Sequence, residues 1–101
     1  MVFNVVVKPI VFVDVEEAVI FYEKKSHSLG EHFYKSFLQS VEDIRLSPQN
    51  YSYIYKPVRR HITKNFPYKV YYIVLNEPIV VIGVAHAKRS NRYIKSKLKY
   101  R

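Results

Sequence analysis

Apolar and polar residues follow two different periods along this chain, and the change of period divides it. Val2-Phe3-Asn4-Val5-Val6-Val7 is apolar and largely β-branched, which predicts a first strand. Pro9 ends it, because proline has no N–H to give to a ladder. Asp14 stands three residues before Glu17, the spacing of a capping box. A helix is therefore predicted from Asp14 to about Lys25, with Val15, Ala18, Val19 and Tyr22 at helical spacing. Ser28 and Glu31 repeat the signal for a second helix. Phe33, Phe37, Val41 and Ile44 then form one apolar stripe over three turns, and Pro48 closes it. Gly30 lies in the first turn, where close contact with another helix favours a residue without a side chain. So short a link between helices predicts an antiparallel hairpin.

From Tyr51 the period shortens. Ile54–Ile62 is predicted as a strand, placed at an edge or a bulge by Pro57. Tyr68–Leu75 is aromatic and β-branched, a second strand. Asn76-Glu77-Pro78 is a turn, and Ile79–His86 is a third, nearly all apolar strand, which places it centrally in the sheet. The tail from Ser90 is basic and reads as a short helix or as unstructured. One strand, two helices and three antiparallel strands make an α+β domain spanning residues 1–101. The helical hairpin is expected to cover one sheet face and leave the other to the basic residues.

Composition sharpens this. Hydrophobic residues are 49% of the chain, enough for a core. There is no cysteine, which excludes disulfide scaffolds and thiolate metal sites and fits a reducing cytoplasm. The longest apolar runs, such as Ile79–Ala85, are too short to span a bilayer. The opening Met1-Val2-Phe3-Asn4 lacks the charged region of a secretion signal. A cytoplasmic protein with no membrane partner is expected. The net charge of +9 is unevenly placed. Residues 1–44 hold four Lys/Arg against seven Asp/Glu, whereas residues 45–101 hold thirteen against one. One-sided cations suggest a polyanionic partner such as RNA, DNA or an acidic protein segment; a merely solubilising surface is the alternative. Lys56, Arg59, Lys64, Lys88 and Arg92 are the candidates for nucleic-acid or partner contact. Arg59 and Arg60 could equally be solvated charges that protect a sheet edge. No P-loop, zinc pattern or Ser/His/Asp order is present, so neither metal nor cofactor is expected.

Several short segments in order carry a resemblance. They are Asp14-Val15-Glu16-Glu17-Ala18 with Tyr22-Glu23, Leu29-Gly30 with Phe33 and Phe37, and Ser47-Pro48. Val58-Arg59-Arg60, Phe66-Pro67-Tyr68-Lys69-Val70-Tyr71-Tyr72 and Val84-Ala85-His86-Ala87-Lys88-Arg89 follow. Together they cover most of the chain, which resembles the RelE/ParE superfamily of type II toxin–antitoxin (plasmid stabilisation) toxins. The resemblance implies a cytoplasmic toxin held in a hetero-oligomer by a cognate antitoxin. RelE-like members are ribosome-dependent endoribonucleases that cut mRNA without a metal; ParE-like members poison DNA gyrase and are not nucleases. A catalytically inactive, nucleic-acid-binding relic is the third reading.

For the nuclease, the resemblance implies Arg60, Lys69, His86, Arg89 and Tyr93 as the catalytic set. Lys69 falls where RelE-like enzymes carry arginine, which keeps the charge and loses the bidentate fork. Arg60 falls near a family lysine and Tyr93 near the tail tyrosine. A family arginine falls on Ala87, so His86 or Arg89 must replace it. An imidazole is the side chain best suited to proton transfer near neutral pH, which favours His86; a structural cap on the strand is the bland alternative. Tyr93 could equally be a packing residue. His27 and His32 read as surface, and His61 is left open.

Overall fold

The computed structural model describes residues 3–99, so Val2 of the first predicted strand lies outside the described residues. Strand β1 (Val5–Val7) leads into helices α1 (Val11–Lys25) and α2 (Leu29–Leu46) and a short 3-10 turn at Pro48–Asn50. Four strands follow: β2 (Tyr53–Tyr55), β3 (Val58–Ile62), β4 (Tyr68–Val74) and β5 (Ile79–His86). Helix α3 (Asn91–Leu98) ends the described chain. The strands form one sheet in the order β1-β5-β4-β3-β2. Neighbours are antiparallel except β1, which runs parallel to β5 with Val5 opposite Ile79.

The α+β architecture and the elements from Phe33 onward follow the periodicity, with two corrections. First, α1 begins at Val11, a turn before Asp14, with Lys8 and Pro9 carbonyls accepting from Val11 and Phe12. Asp14 is thus no cap; it is buried and faces the sheet. Second, the predicted Ile54–Ile62 strand is two strands. The cis Lys56-Pro57 peptide sits in the turn between β2 and β3, and Tyr53 pairs with Arg59. Of its two expected forms, the basic tail takes the helix, started by Ser90, whose Oγ accepts from Tyr93 N–H at 3.1 Å.

The helical hairpin covers one sheet face. Val11, Val15, Ala18, Phe33, Phe37 and Ile44 close on Val70, Tyr72, Ile79, Val81 and Val84. Helix α3 covers the other, where Ile94 and Leu98 pack on Val58, Tyr71, Ile82 and Ala85. The sheet is therefore buried on both sides, which is why Ile79–His86 is apolar almost throughout. The register passes from Tyr71↔Gly83 to Tyr72↔Val81, leaving Ile82 as the extra residue of a bulge.

The hairpin is joined by an exchange that spacing alone does not show. Ser28 lies in the left-handed region (φ 69°) and makes no side-chain cap. Instead the Glu23 carboxylate of α1 accepts from Ser28 N–H and Gly30 N–H, both at 3.1 Å. Those two bonds hold the Glu23 carboxyl below the usual carboxylate range. Gly30 permits the approach, since a Cβ there would stand 2.6 Å from the Val19 carbonyl oxygen. On the hairpin side of β4, Tyr72 Oη donates to the Pro48 carbonyl at 2.5 Å and fixes the exit from α2. His61 is buried on the hairpin side, edge-on to Tyr51 at 4.5 Å and 3.4 Å from Asp43.

Two outcomes are expected. The contact at position 30 is with backbone and outweighs the ~1 kcal/mol that alanine gains in helix propensity. Gly30→Ala should therefore destabilise the fold by about 1–3 kcal/mol in urea unfolding. Burial lowers the His61 pKa below 6.5 despite the attraction of Asp43. The unfolded chain then binds the proton first, so stability is full above pH ~6.5 and falls as pH drops from there towards the lowered folded value. His61→Phe should flatten this loss; equal losses in the two proteins would refute the assignment.

Candidate functional site

Strand β1 pairs with only half of β5. It ends where Lys8 N–H donates to the Val81 carbonyl at 3.2 Å. Beyond that point, among the described residues, the edge of β5 has no neighbouring strand. Asp14 takes the strand's place: its Oδ2 accepts from Val84 N–H at 3.2 Å. Its Oδ1 lies 3.0 Å from Lys97 Nζ of α3. The pair thus joins helices on opposite faces of the sheet around its open edge. A cleft of about 240 Å³ runs along this edge. Glu17 and Phe21 of α1 form one wall, Tyr68, Val84 and His86 the floor, and Arg89, Tyr93 and Lys97 the other wall.

The side chains at its mouth are held. His86 Nδ1 accepts from Lys88 N–H at 3.0 Å, which assigns the proton of the neutral ring to Nε2. Arg89 N–H donates to the His86 carbonyl at 3.0 Å, and its guanidinium lies over the Tyr93 ring at 4.5 Å. The His86 ring meets Tyr68 edge-on at 5.2 Å. Burial raises the Tyr68 pKa, with the neighbouring Tyr22 hydroxyl and the Glu17 charge adding to it.

The expected single basic face is not what forms. Arg60 is registered with Tyr71, and Lys69 with Ile62 and Ala85, which puts both on the α3 side. His86 is registered with Tyr68, on the hairpin side. Side chains alternate along a strand, and His86 and Ala85 are neighbours, so Lys69 and His86 point to opposite faces. His86, Arg89 and Tyr93 share the cleft; Arg60 and Lys69 stand apart from it.

What the cations share is an end of the molecule. Strand β3 ends, β4 begins and β5 ends there, tied by Ala87 N–H to the Pro67 carbonyl at 2.7 Å. The α1 terminus reaches the same end, where Tyr22 meets Phe66 at 4.8 Å, as does the start of α2 through Phe33 on Tyr68 at 4.8 Å. Lys64, Lys69, Lys88 and Arg89 lie at this end with Lys24 and Lys25. Lys64 borders a shallow groove with His32 and Lys35. Arg92 is exposed in the first turn of α3. Lys56 is at the opposite end, 5.6 Å from the Tyr53 ring. Arg59 is committed internally. It donates to the Tyr51 carbonyl at 2.7 Å and Tyr53 Oη at 2.9 Å, stacks on the Tyr53 ring at 3.9 Å, and so clamps the segment after α2 to the sheet.

Sequence reasoning did not place Glu17, Phe21, Tyr68 or Lys97 at the site, and read Asp14 as a cap. One signal was available. Positions 14, 17, 18 and 21 recur at helical spacing and mix two carboxylates with Phe21, which marks a face that is neither core nor plain solvent.

No protein-family model matches the chain, and no curated protein matches it. Among solved structures it is similar to a chain of the chromosomal ParDE TA system from P. aeruginosa. The TM-score is 0.69 at 12% identity, over 86% of this chain and 98% of that one. The isolated E. coli RelE toxin aligns with a TM-score of 0.44 at 19% identity, over 98% of this chain and 99% of that one. The first likeness, with the element order above, defines a RelE/ParE-like fold. Among the described residues, no helix is long and apolar enough to cross a membrane.

Removing Asp14 leaves a buried N–H and a largely buried ammonium without their acceptor. Asp14→Ala should cost about 3 kcal/mol or more, and Lys97→Met less, because Asp14 keeps Val84. The double variant should cost less than the two singles combined. Strict additivity in urea unfolding would show that the pair carries no coupling.

Proposed function

We propose that this chain is the toxin of a type II toxin–antitoxin pair, acting in the cytoplasm on mRNA at the ribosome. The observation that carries the reading is Lys88 and Arg89 at the cleft that holds His86 and Tyr93, with Lys64 and Lys69 at the same end of the molecule, on a RelE/ParE-like fold. Polyanion binding needs such a cationic end. Cleavage by 2′-hydroxyl attack needs a base, a cation for the phosphorane and an acid for the departing 5′-oxygen. Solvent takes the 2′-proton, while His86, whose Nδ1 already accepts from Lys88 N–H, directs Nε2–H at a phosphoryl oxygen. The 2′-oxygen bonds to phosphorus and the 5′-oxygen leaves, giving a 2′,3′-cyclic phosphate. Arg89 neutralises the charge on phosphorus, and Tyr93 protonates the leaving oxygen. Arg60 and Lys69, on the other face, hold flanking phosphates.

The antitoxin fits the outer face of the helical hairpin. Phe12, Val13, Ile20, Tyr34 and Leu38 are 39–49% exposed there, more apolar surface than a solvated face requires. Phe12, Val19 and Tyr34 line a groove rimmed by Glu16, Glu23 and Glu31. An amphipathic segment with flanking Lys or Arg would bury one and pair the other.

A second reading has its own support. The division of the five catalytic candidates between two sheet faces suits a binding toxin without nuclease chemistry, and the fold likeness is to a ParDE chain. Such a toxin would act on DNA gyrase.

Controlled expression, with translation and DNA topology followed separately, decides. The nuclease reading expects growth arrest and new 5′ ends at A-site codons in translating extracts, lost in Arg89→Glu. Intact message at toxic doses, with gyrase-mediated DNA cleavage rising, establishes the second reading. Absence of any arrest leaves an inactive relic. Tyr34→Glu should release the product of the neighbouring gene while toxicity persists.

A further inference from the structure

Most carboxylates of the chain have assigned work. Asp14 holds Lys97 and Val84, Glu23 caps α2, Glu31 pairs with Lys35 at 3.3 Å, Glu42 with Arg45, and Asp43 with His61. Glu17 does not. Among the described residues it makes no hydrogen bond or ion pair, yet it lines the cleft and its charge reaches the Tyr68 hydroxyl. An anion is out of place in a cleft that receives only phosphate. With Asp14 and Lys97 neutralising each other, the interior presents one uncompensated negative charge, Glu17, facing Arg89 across aromatic walls at Phe21, Tyr68 and Tyr93.

That arrangement asks for a ligand with three parts: an anion for Arg89, a flat body for the aromatic walls, and adjacent hydrogen-bond donors for a carboxylate, which only accepts. A nucleotide supplies the first two. The third selects among bases. Guanine offers N1–H and the N2 amine side by side. Adenine and cytosine set an acceptor nitrogen beside their amine, and the N3–H of uracil lies between two carbonyls; each acceptor would oppose the carboxylate. We infer that Glu17 is a specificity-determining residue, and that the cleft takes a guanine base of an RNA strand with its Watson–Crick edge on Glu17 and its phosphate on the Arg89 side. This rests on the RNA reading above and adds the base to it. The same charges fix the orientation, because a phosphate directed inward would meet Glu17.

Fluorescence anisotropy with the full chain and labelled five-nucleotide RNAs tests it. The probes carry guanine, inosine or adenine at the centre of a uridine frame. Guanine should bind at least about tenfold tighter than adenine, and inosine, which lacks the N2 amine, should fall between. Glu17→Gln should bring the three to within about twofold, while Arg89→Ala weakens all of them alike. Glu17 is exposed, so the variant should keep its urea midpoint, which is measured alongside. Equal, salt-sensitive binding of the three RNAs by the unaltered protein overturns the guanine assignment and leaves RNA binding standing. Binding to none of them overturns both. If a lysine-bearing peptide binds through Glu17 while RNA selectivity ignores the substitution, the cleft belongs to a polypeptide and the inference fails.

Discussion

A sheet edge cannot stop in the middle of a domain without some acceptor for its N–H groups, and here that acceptor is Asp14. Strand β1 supplies Asn4 to Ile79 N–H at 2.8 Å and then turns away into α1. The first turn of α1 brings Asp14 back to Val84, so the chain that vacates the edge also closes it. A carboxylate in that position needs a cation, and α3 supplies Lys97. The arrangement of two helical layers about one sheet is thus fastened by a single side chain. It also decides where the cleft lies: along the stretch of β5 that has a carboxylate for a neighbour in place of a strand.

The charge asymmetry acquires meaning at this point. Acids in the first half of the chain serve mostly inside the helical layer, as cap, i,i+4 partner or edge acceptor. Among the cations of the second half, Lys64, Lys69, Lys88 and Arg89 cluster where three strand ends meet. Because the sheet is covered on both sides, no face remains open for a broad basic platform, and the rim takes that part. Arg59 shows how a cation in a basic run can be absorbed by the fold: stacked on Tyr53 and bonded to the chain after α2, it acts as a fastener.

The fold was legible wherever one physical signal dominated. Phe33, Phe37 and Ile44 at helical spacing, Gly30 at the helix crossing, and the apolar run from Ile79 all led to the right element. The errors have a common cause. A carboxylate three residues before a glutamate looks the same whether it caps its own helix or reaches 70 residues away to Val84. Pro57 announces a break, but whether a strand bulges or folds into a hairpin depends on the pairing partner. For the site, His86, Arg89 and Tyr93 lie close in sequence and were within reach together. Glu17 and Phe21 belong to the opposite wall, and only the tertiary contact of α1 with β5 brings them there. The separation of Lys69 from His86 follows from strand alternation and register, which cannot be read until the pairing is known.

The parallel pairing of β1 with β5 sets an order on biosynthesis. Val5 to Val7 leave the ribosome before their partners Ile79 to Val81, which follow only after two helices and three further strands. Until they arrive, the apolar underside of the helical hairpin has no sheet to rest on. Asp14 likewise waits for both Val84 and Lys97. A nascent chain of this design holds its cleft unassembled until Lys97 has been made, and the nearby cations come together only when β5 and α3 dock.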